Sequence, residues 1–339
     1  MQKKIIKIGN VKIGGGEPVA VQTMTNTPTV NICATVSQIH EVAFAGADIV
    51  RVAVPDSESA SALKEIIKSV SVPIVADIHY DYKLAVKAIE AGAHKVRVNP
   101  SNLSREGLKT VTALCLERGI PMRVGVNEGS VLGADISAKS LARLAHDSSK
   151  RMEDMGFTNI VLAVKSSSVL KTVEANRILN GLTEYPLHIG LTEAGTYDFG
   201  VIKSAVSIGS LLLDGIGDTI RVSLAGSPAR EVLEARKILR ASGRDKNFAE
   251  VIACPTCARC EINVLELAEI VENKTRHIRK PLKIAVMGCA VNGVGEGKSA
   301  DIGISGGKEN SVIFKGGEIL KTVKNAFVAN ELIKLIEEL

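Results

Sequence analysis

Between residues 18 and 242 the chain alternates short β-branched apolar runs with longer stretches whose apolar positions recur every three or four residues. The short runs, at 18–25, 48–54, 73–79, 95–99, 121–127, 160–165, 187–192 and 219–224, are rich in Val and Ile and alternate little between apolar and polar. Strands buried on both faces of a parallel sheet read this way. The longer stretches, among them 36–45, 60–70, 82–91, 105–118, 138–155 and 169–182, carry the helical period. Gly46, Gly92, Gly119 and Gly156 close four of them, where a C-cap calls for left-handed backbone. Strand–helix repetition of this kind predicts an α/β fold, a (β/α)8 barrel of TIM type. A doubly wound sheet is the alternative, but no Gly-x-Gly-x-x-Gly follows the first strand.

After Asn247 the pattern changes. Pro255 stands where it would open a helix over 256–275. Strands are predicted over 283–287, 301–304, 312–314 and 319–322, and a final amphipathic helix over 326–339. The predicted organisation is therefore a substrate-binding barrel over 1–245 and a small α+β domain over 246–339, joined by a polar linker near 243–247.

Composition narrows the partners. Aromatic residues make up 3% with no Trp, which removes the stacking platforms of single-strand nucleic-acid binders. A net charge of +5 suits small anionic ligands, and no apolar stretch approaches the ~20 residues of a membrane span or the length of a signal peptide. Four of the six cysteines crowd between Cys254 and Cys289, unlike a disulfide framework, so a reducing cytoplasm is expected.

Arg-Val recurs on four predicted strands, at Arg51, Arg97, Arg123 and Arg221. A guanidinium inside a buried strand is costly unless its charge is answered. Surface or ion-paired arginines would account for one such case; four on one barrel predict a multivalent anion site at the mouth, fit for a diphosphate. Lys165 ends the sixth strand and adds charge, while Asn127 and Ser223 share a face with Arg123 and Arg221. Asp77 and His79 at the end of the third strand are expected to partner neighbouring arginines. Glu193, after the seventh strand, is the candidate proton donor, in a partly dry mouth.

The second cluster of chemistry is Cys254-Pro-Thr-Cys257 with Gly288-Cys289-Ala-Val-Asn-Gly-Val-Gly-Glu296. Three thiolates and one carboxylate make a poor closed site and a good reactive one, with an exchangeable fourth position. A helix beginning at Cys254 and Cys257 would favour an anionic, thiolate-ligated cluster through its dipole. Zinc held by Cys254, Cys257, Cys260 and Cys289 is the alternative, and Cys33 and Cys115 are expected to be ordinary thiols.

With those two motifs, Leu-Thr-Glu-Ala-Gly at 191–195 and Gly-Asp-Thr-Ile-Arg-Val-Ser-Leu at 217–224, the chain resembles the 4-hydroxy-3-methylbut-2-enyl diphosphate synthase family in its short two-domain bacterial form. The resemblance runs over nearly the whole chain. It implies a barrel followed by an iron–sulfur domain, and a 4Fe–4S cluster on Cys254, Cys257 and Cys289 with Glu296 on the fourth iron. The implied substrate is 2-C-methyl-D-erythritol 2,4-cyclodiphosphate, held by Arg51, Arg97, Arg123, Asn127, Lys165, Arg221 and Ser223, with Asn292 also within reach. Glu193 is implicated in catalysis, reduced flavodoxin or ferredoxin is the electron donor, and a head-to-tail homodimer is implied. Cys260 departs from the family pattern. Two other readings compete: a phosphosugar lyase or aldolase with Lys165 as Schiff-base amine and a zinc-stapled terminal domain, and a zinc-bearing RNA-binding module.

Overall fold

The computed structural model describes residues 2–79, 81–99, 102–130, 135–290, 295 and 297–339. The chain divides into two units, Met1–Arg244 and Asp245–Leu339.

The first unit opens with a hairpin of β1 (Ile6–Ile8) and β2 (Val11–Ile13), which the hydrophobic pattern did not predict because each arm has three residues. Eight strands follow: β3 (Ala20–Met24), β4 (Ile49–Ala53), β5 (Ile74–Asp77), β6 (Lys95–Val98), β7 (Met122–Val126), β8 (Ile160–Val164), β9 (His188–Ile189) and β10 (Thr219–Ile220). Each lies inside its predicted run. They pair in parallel in the order β8-β7-β6-β5-β4-β3-β10-β9, and a parallel bridge between Leu162 and Leu187 joins the two ends. Helices α1 (Ile32–Phe44), α2 (Ser57–Lys68), α3 (Tyr82–Glu90), α4 (Arg105–Arg118), α5 (Ala138–Glu153), α6 (Val169–Leu182), α7 (Tyr197–Leu213) and α8 (Pro228–Ala241) connect them. Local chemistry sets the helix ends: in α4 the Ser104 side chain accepts from Gly107 N–H, and Gly119 closes the helix at φ 65°.

Two apolar clusters reveal which way each strand residue faces. Val21, Val50, Val52, Ile74, Ala76, Val96, Val124, Leu162 and Ile220 pack outward with the helices. Ala20, Ile49, Val75 and Val161 face inward and meet Ile6, Ile8 and Ile13 of the hairpin, which stops the lower end of the barrel. Side chains on a strand repeat every second residue, so the inward face continues upward from these four positions.

In the second unit β11 (Ala249–Ala253), β12 (Leu282–Met287), β13 (Ile302–Ser305), β14 (Asn310–Lys315) and β15 (Glu318–Lys324) form one mixed sheet, parallel from β11 to β13 and antiparallel thereafter. Helices α9 (Val264–Thr275) and α10 (Val328–Glu337) place Val264, Leu267, Val271, Leu332 and Ile336 against Ile284, Val286, Ile302 and Ile304. Two expectations need correction. Strand β11 was not foreseen, and the helix predicted over 256–275 begins at Val264, where the Asn263 side chain accepts from Glu266 N–H. Pro255 therefore lies in a loop, ahead of a competing cap with a side chain able to satisfy the helix end.

Candidate active site

The inward face of the barrel carries the strand arginines. Arg51 is two residues above Ile49, Asp77 two above Val75, and Lys165 four above Val161. Asp77, 3% exposed, sits between two guanidinium groups: Arg97 Nη1 lies 3.1 Å from its Oδ1 and Arg51 Nε 3.7 Å from its Oδ2. His79 Nε2 approaches both Asp77, at 3.4 Å, and Arg97, at 3.2 Å. Burial opposes ionisation of Asp77, but Arg51, a hydrogen bond from His79, Arg97 and Arg123 together hold its carboxyl well below the usual carboxylate range. Burial brings Arg51 down to about 10 despite Asp77. Its Nε and Nη2 also lie 3.1 and 2.8 Å from Met24 Sδ.

Arg221 is answered from outside the strands. Its Nε and Nη2 lie 3.4 Å from Glu231 Oε2 on α8, and Glu231 also accepts from Thr23 Oγ1 and Leu224 N–H, each at 3.0 Å. Arg123 is 2% exposed, and its Nε and Nη1 have no hydrogen-bond partner among the described residues. Burial, with Arg51 and Arg97 nearby, lowers its pKa well below the ordinary value. Lys165 is half-buried, and its amine is likewise pushed down by burial and by Arg123, Arg221 and Arg51. Gly190, at φ 155°, lets that amine in: a Cβ there would lie 3.0 Å from Lys165 Nζ and collide with the Arg221 carbonyl. Among the described residues these five cations thus face two carboxylates.

Around the rim, Asn127 Oδ1 accepts from Ser130 Oγ at 2.9 Å, and the same hydroxyl accepts from Asn99 Nδ2 at 3.1 Å. Ser223 follows β10 and is half-buried. Glu193 is exposed, contrary to the partly dry setting expected of it, because it sits in the loop after β9. Its φ of 52° makes it the one non-glycine with positive φ among the described residues. Strain of this kind gathers at functional positions.

In the second unit, Cys254 follows β11 and Cys289 follows β12, so two of the predicted thiols lie at the same ends of adjacent parallel strands. Gly288 N–H points at Cys254 Sγ, 3.1 Å away, and the Cys289 carbonyl accepts from Ser305 Oγ at 2.9 Å. Cys257 is exposed on the loop between β11 and α9. The helix-dipole argument for this site fails, since α9 begins seven residues after Cys257. Cys260 is turned aside: its Sγ donates to the Ile262 carbonyl at 3.2 Å. Among the described residues no three His, Cys, Asp or Glu side chains converge on a point that one metal ion could occupy. Asn292 and Glu296 lie outside the described residues.

Residues 3–236 match the family model of the GcpE TIM-barrel domain, and residues 250–338 that of the GcpE protein C-terminal domain. The chain belongs to the GcpE family. Its relatives include the 4-hydroxy-3-methylbut-2-en-1-yl diphosphate synthase (flavodoxin) of Caldanaerobacter subterraneus subsp. tengcongensis, 52% identical over 98% of this chain and 96% of that one. Proteins of the same name from Thermotoga maritima (48% identical; 99% and 98% covered) and Clostridium perfringens (47%; 98% and 97%) are similar throughout. Among solved structures, Xanthomonas albilineans dihydropteroate synthase (TM-score 0.52, 13% identity, 71% of this chain and 98% of that one) shares the fold. So does Clostridium difficile type I 3-dehydroquinate dehydratase (TM-score 0.54, 14% identity, 71% and 98%). At such identities the likeness is of fold alone.

Three inward residues of this GcpE chain were missed in the sequence: Gln22, Lys95 and His188, 1%, 0% and 0% exposed. The signal was present for Lys95, two residues before Arg97 on one strand and so on the same face. Glu231 had no such signal, because a glutamate in the first turn of a helix is ordinary.

Proposed function

We propose that this GcpE chain is an iron–sulfur oxidoreductase that converts 2-C-methyl-D-erythritol 2,4-cyclodiphosphate to 4-hydroxy-3-methylbut-2-enyl diphosphate. The reaction is a two-electron reductive ring opening with loss of water, in the methylerythritol phosphate route to isoprenoids. The observation that carries the reading is the charge imbalance in the barrel, where Arg51, Arg97, Arg123, Arg221 and Lys165 are set, among the described residues, against Asp77 and Glu231. Buried cations in excess of their counter-charges are unfavourable by several kcal/mol each at about this depth. A diphosphate relieves that cost with oxygens suited to the arginine fork.

In this reading the diphosphate lies against Arg51, Arg97, Arg123, Lys165, Arg221 and Ser223. Asp77 fixes two of the guanidinium groups, His79 and Asn127 border the ligand, and Asn292 reaches it. As the ring C–O bond breaks, negative charge grows on the freed phosphate oxygen, and the arginines stabilise it without rearranging. Glu193 gives its proton to the departing hydroxyl, which leaves as water.

Cys254, Cys257 and Cys289, with Glu296 as exchangeable ligand, would hold a 4Fe–4S cluster. The donor set fits: soft thiolates at adjacent strand ends, one already receiving an amide hydrogen from Gly288. When bound, the cluster supplies the single-electron transfers that side chains lack. Reduced flavodoxin or ferredoxin is the donor in this proposal, and a head-to-tail homodimer brings one copy's cluster to its partner's barrel.

The test is anaerobic purification, iron and sulfide analysis, and turnover of the cyclodiphosphate with reduced flavodoxin. A single tightly held zinc without inorganic sulfide would overturn the reading. One observation favours a lyase instead: the lowered Lys165 amine is what a Schiff-base nucleophile needs. Borohydride trapping of a phosphosugar on Lys165 would establish that alternative.

A further inference from the structure

Beneath the cationic mouth the barrel has a second polar level. Eight-stranded barrels of this type are filled by inward layers dominated by Val, Ile and Leu. The lowest layer, Ala20, Ile49, Val75 and Val161 against the hairpin, conforms to this. Above it the interior turns to Gln22, Lys95, Arg123, His188 and Thr219, none more than 2% exposed.

Two bonds tie this level together. Lys95 Nζ donates to Gln22 Oε1 at 3.0 Å between strands β6 and β3, and His188 Nδ1 lies 2.7 Å from Thr219 Oγ1. What remains is a set of nitrogens. Gln22 Nε2, Arg123 Nε and Nη1, and His188 Nε2 are sealed from solvent without a partner among the described residues. In the tautomer whose Nδ1 accepts from the Thr219 hydroxyl, His188 Nε2 carries the ring hydrogen and is a donor like the others; in the other tautomer it is an acceptor. Burial first, and then the charges of Lys165, Arg123, Lys95 and Arg51, press His188 toward its neutral form. The carboxylates are engaged elsewhere, Asp77 by Arg51 and Arg97, and Glu231 by Arg221, Thr23 and Leu224.

A buried donor without an acceptor costs about 1–3 kcal/mol, and Gln22 Nε2 and Arg123 Nε and Nη1 are three such donors on inward-facing side chains of this barrel, with His188 Nε2 a fourth in one tautomer. Water would bring hydrogens of its own, which would have to find the second lone pairs of Gln22 Oε1 and Thr219 Oγ1, each already engaged once. An acceptor-only ligand is complementary. Because eight strands leave an interior that side chains nearly fill, that ligand is about the size of one atom. We propose that this level binds a small inorganic anion of halide size, at a site beneath the diphosphate cradle that shares Arg123 with it. The site draws on Gln22, Lys95, Arg123 and His188, and it does not depend on the catalytic reading. Burial and the neighbouring arginines press Lys95 and His188 toward their neutral forms, and an anion beside them reverses that pressure.

The experiment is anomalous diffraction from crystals of the full chain grown in sodium bromide, with and without pyrophosphate. One bromide peak is expected within hydrogen-bond distance of Gln22 Nε2, Arg123 Nη1 and His188 Nε2, and pyrophosphate in the mouth should not displace it. Ordered water without anomalous signal, or bromide confined to Arg51, Arg97 and Arg221, would overturn the proposal. Gln22→Glu supplies an anion from the chain itself. It should abolish the peak and raise the melting temperature, the opposite of what an added buried carboxylate does in an ordinary core. A lowered melting temperature with the bromide peak intact would equally refute it. If that variant does not fold, the wild-type peak still decides, as does a higher melting temperature in bromide than in methanesulfonate at equal ionic strength.

Discussion

On the proposed function, the barrel and the cysteine unit prepare for their ligands in opposite ways. In the barrel the cations are fixed on strands, buried, and partly neutralised by Asp77 and Glu231 before anything binds. In the cysteine unit the thiols stand on loops, one of them exposed, and Cys254 receives a single amide bond from Gly288. A charged cradle needs rigid walls, because its worth lies in dipoles and charges that do not reorganise. A metallocluster brings its own geometry, and its binding energy is spent in ordering the ligand loops. Substitutions in the two regions should therefore fail differently: those among the thiols through loss of cofactor, those in the barrel through stability or affinity.

The largest effect expected is at Cys289. Cys289→Ser should remove the bound iron and sulfide and all turnover, while the urea midpoint of the barrel and its affinity for pyrophosphate stay at wild-type values. Retained activity, checked by iron analysis and substrate consumption in parallel, would break the assignment of that thiol.

Asp77→Asn comes next and touches stability. It leaves Arg51 and Arg97 buried with their shared counter-charge gone, which should cost about 3–5 kcal/mol. The pH dependence has a definite sign. The folded pKa lies below the unfolded value of about 3.9, so the stabilisation is fully present above that value and is lost as pH falls toward the depressed one. Urea midpoints of wild type and Asp77→Asn should therefore be well separated at neutral pH and converge on acidification. A constant gap would mean that Asp77 is not the neutralising group.

How much of this was visible in the sequence follows from the same contrast. All eight barrel strands and the inward arginines could be found, because burial on both faces writes Val and Ile runs into the chain and a charge within them stands out. The short hairpin β1–β2 was not, since three-residue arms show no period. The start of α9 was misplaced because Pro255 imitates a helix opening, while the true cap, Asn263, looks like any polar residue. Lys95 and His188 were passed over although the two-residue repeat of the strands points to them. The cysteine motifs stand out by their spacing; their loop setting does not, because ligand spacing says nothing of the backbone between.

Arg123→Leu separates function from stability within the barrel. Losing a charge-assisted contact of about 1.5–3 kcal/mol should weaken pyrophosphate binding roughly tenfold to a hundredfold. The fold should be as stable as wild type or more so, since a buried charge with two of its nitrogens unpartnered among the described residues gives way to an apolar residue. Titration calorimetry and a urea melt on the same preparation read both quantities. A loss of several kcal/mol in stability would show that Arg123 has a partner in the free protein.

The smallest effect is at Cys260, and it sharpens the comparison most. Its Sγ donates to the Ile262 carbonyl and lies where a Cβ on Gly288 would collide with it, so the thiol fills space under the strand end that leads to Cys289. As a packing residue, Cys260→Ala should cost on the order of 1 kcal/mol and leave iron, sulfide and turnover unchanged. As a fourth thiolate of a zinc site it would take metal content with it. Gly288→Ala separates the two further. Alone it should be destabilising, because the new methyl group meets Cys260 and Val264, and Cys260→Ala should partly relieve it by vacating the sulfur's place. If the double variant is no more stable than the sum of the single losses, Cys260 is not the atom that limits space there.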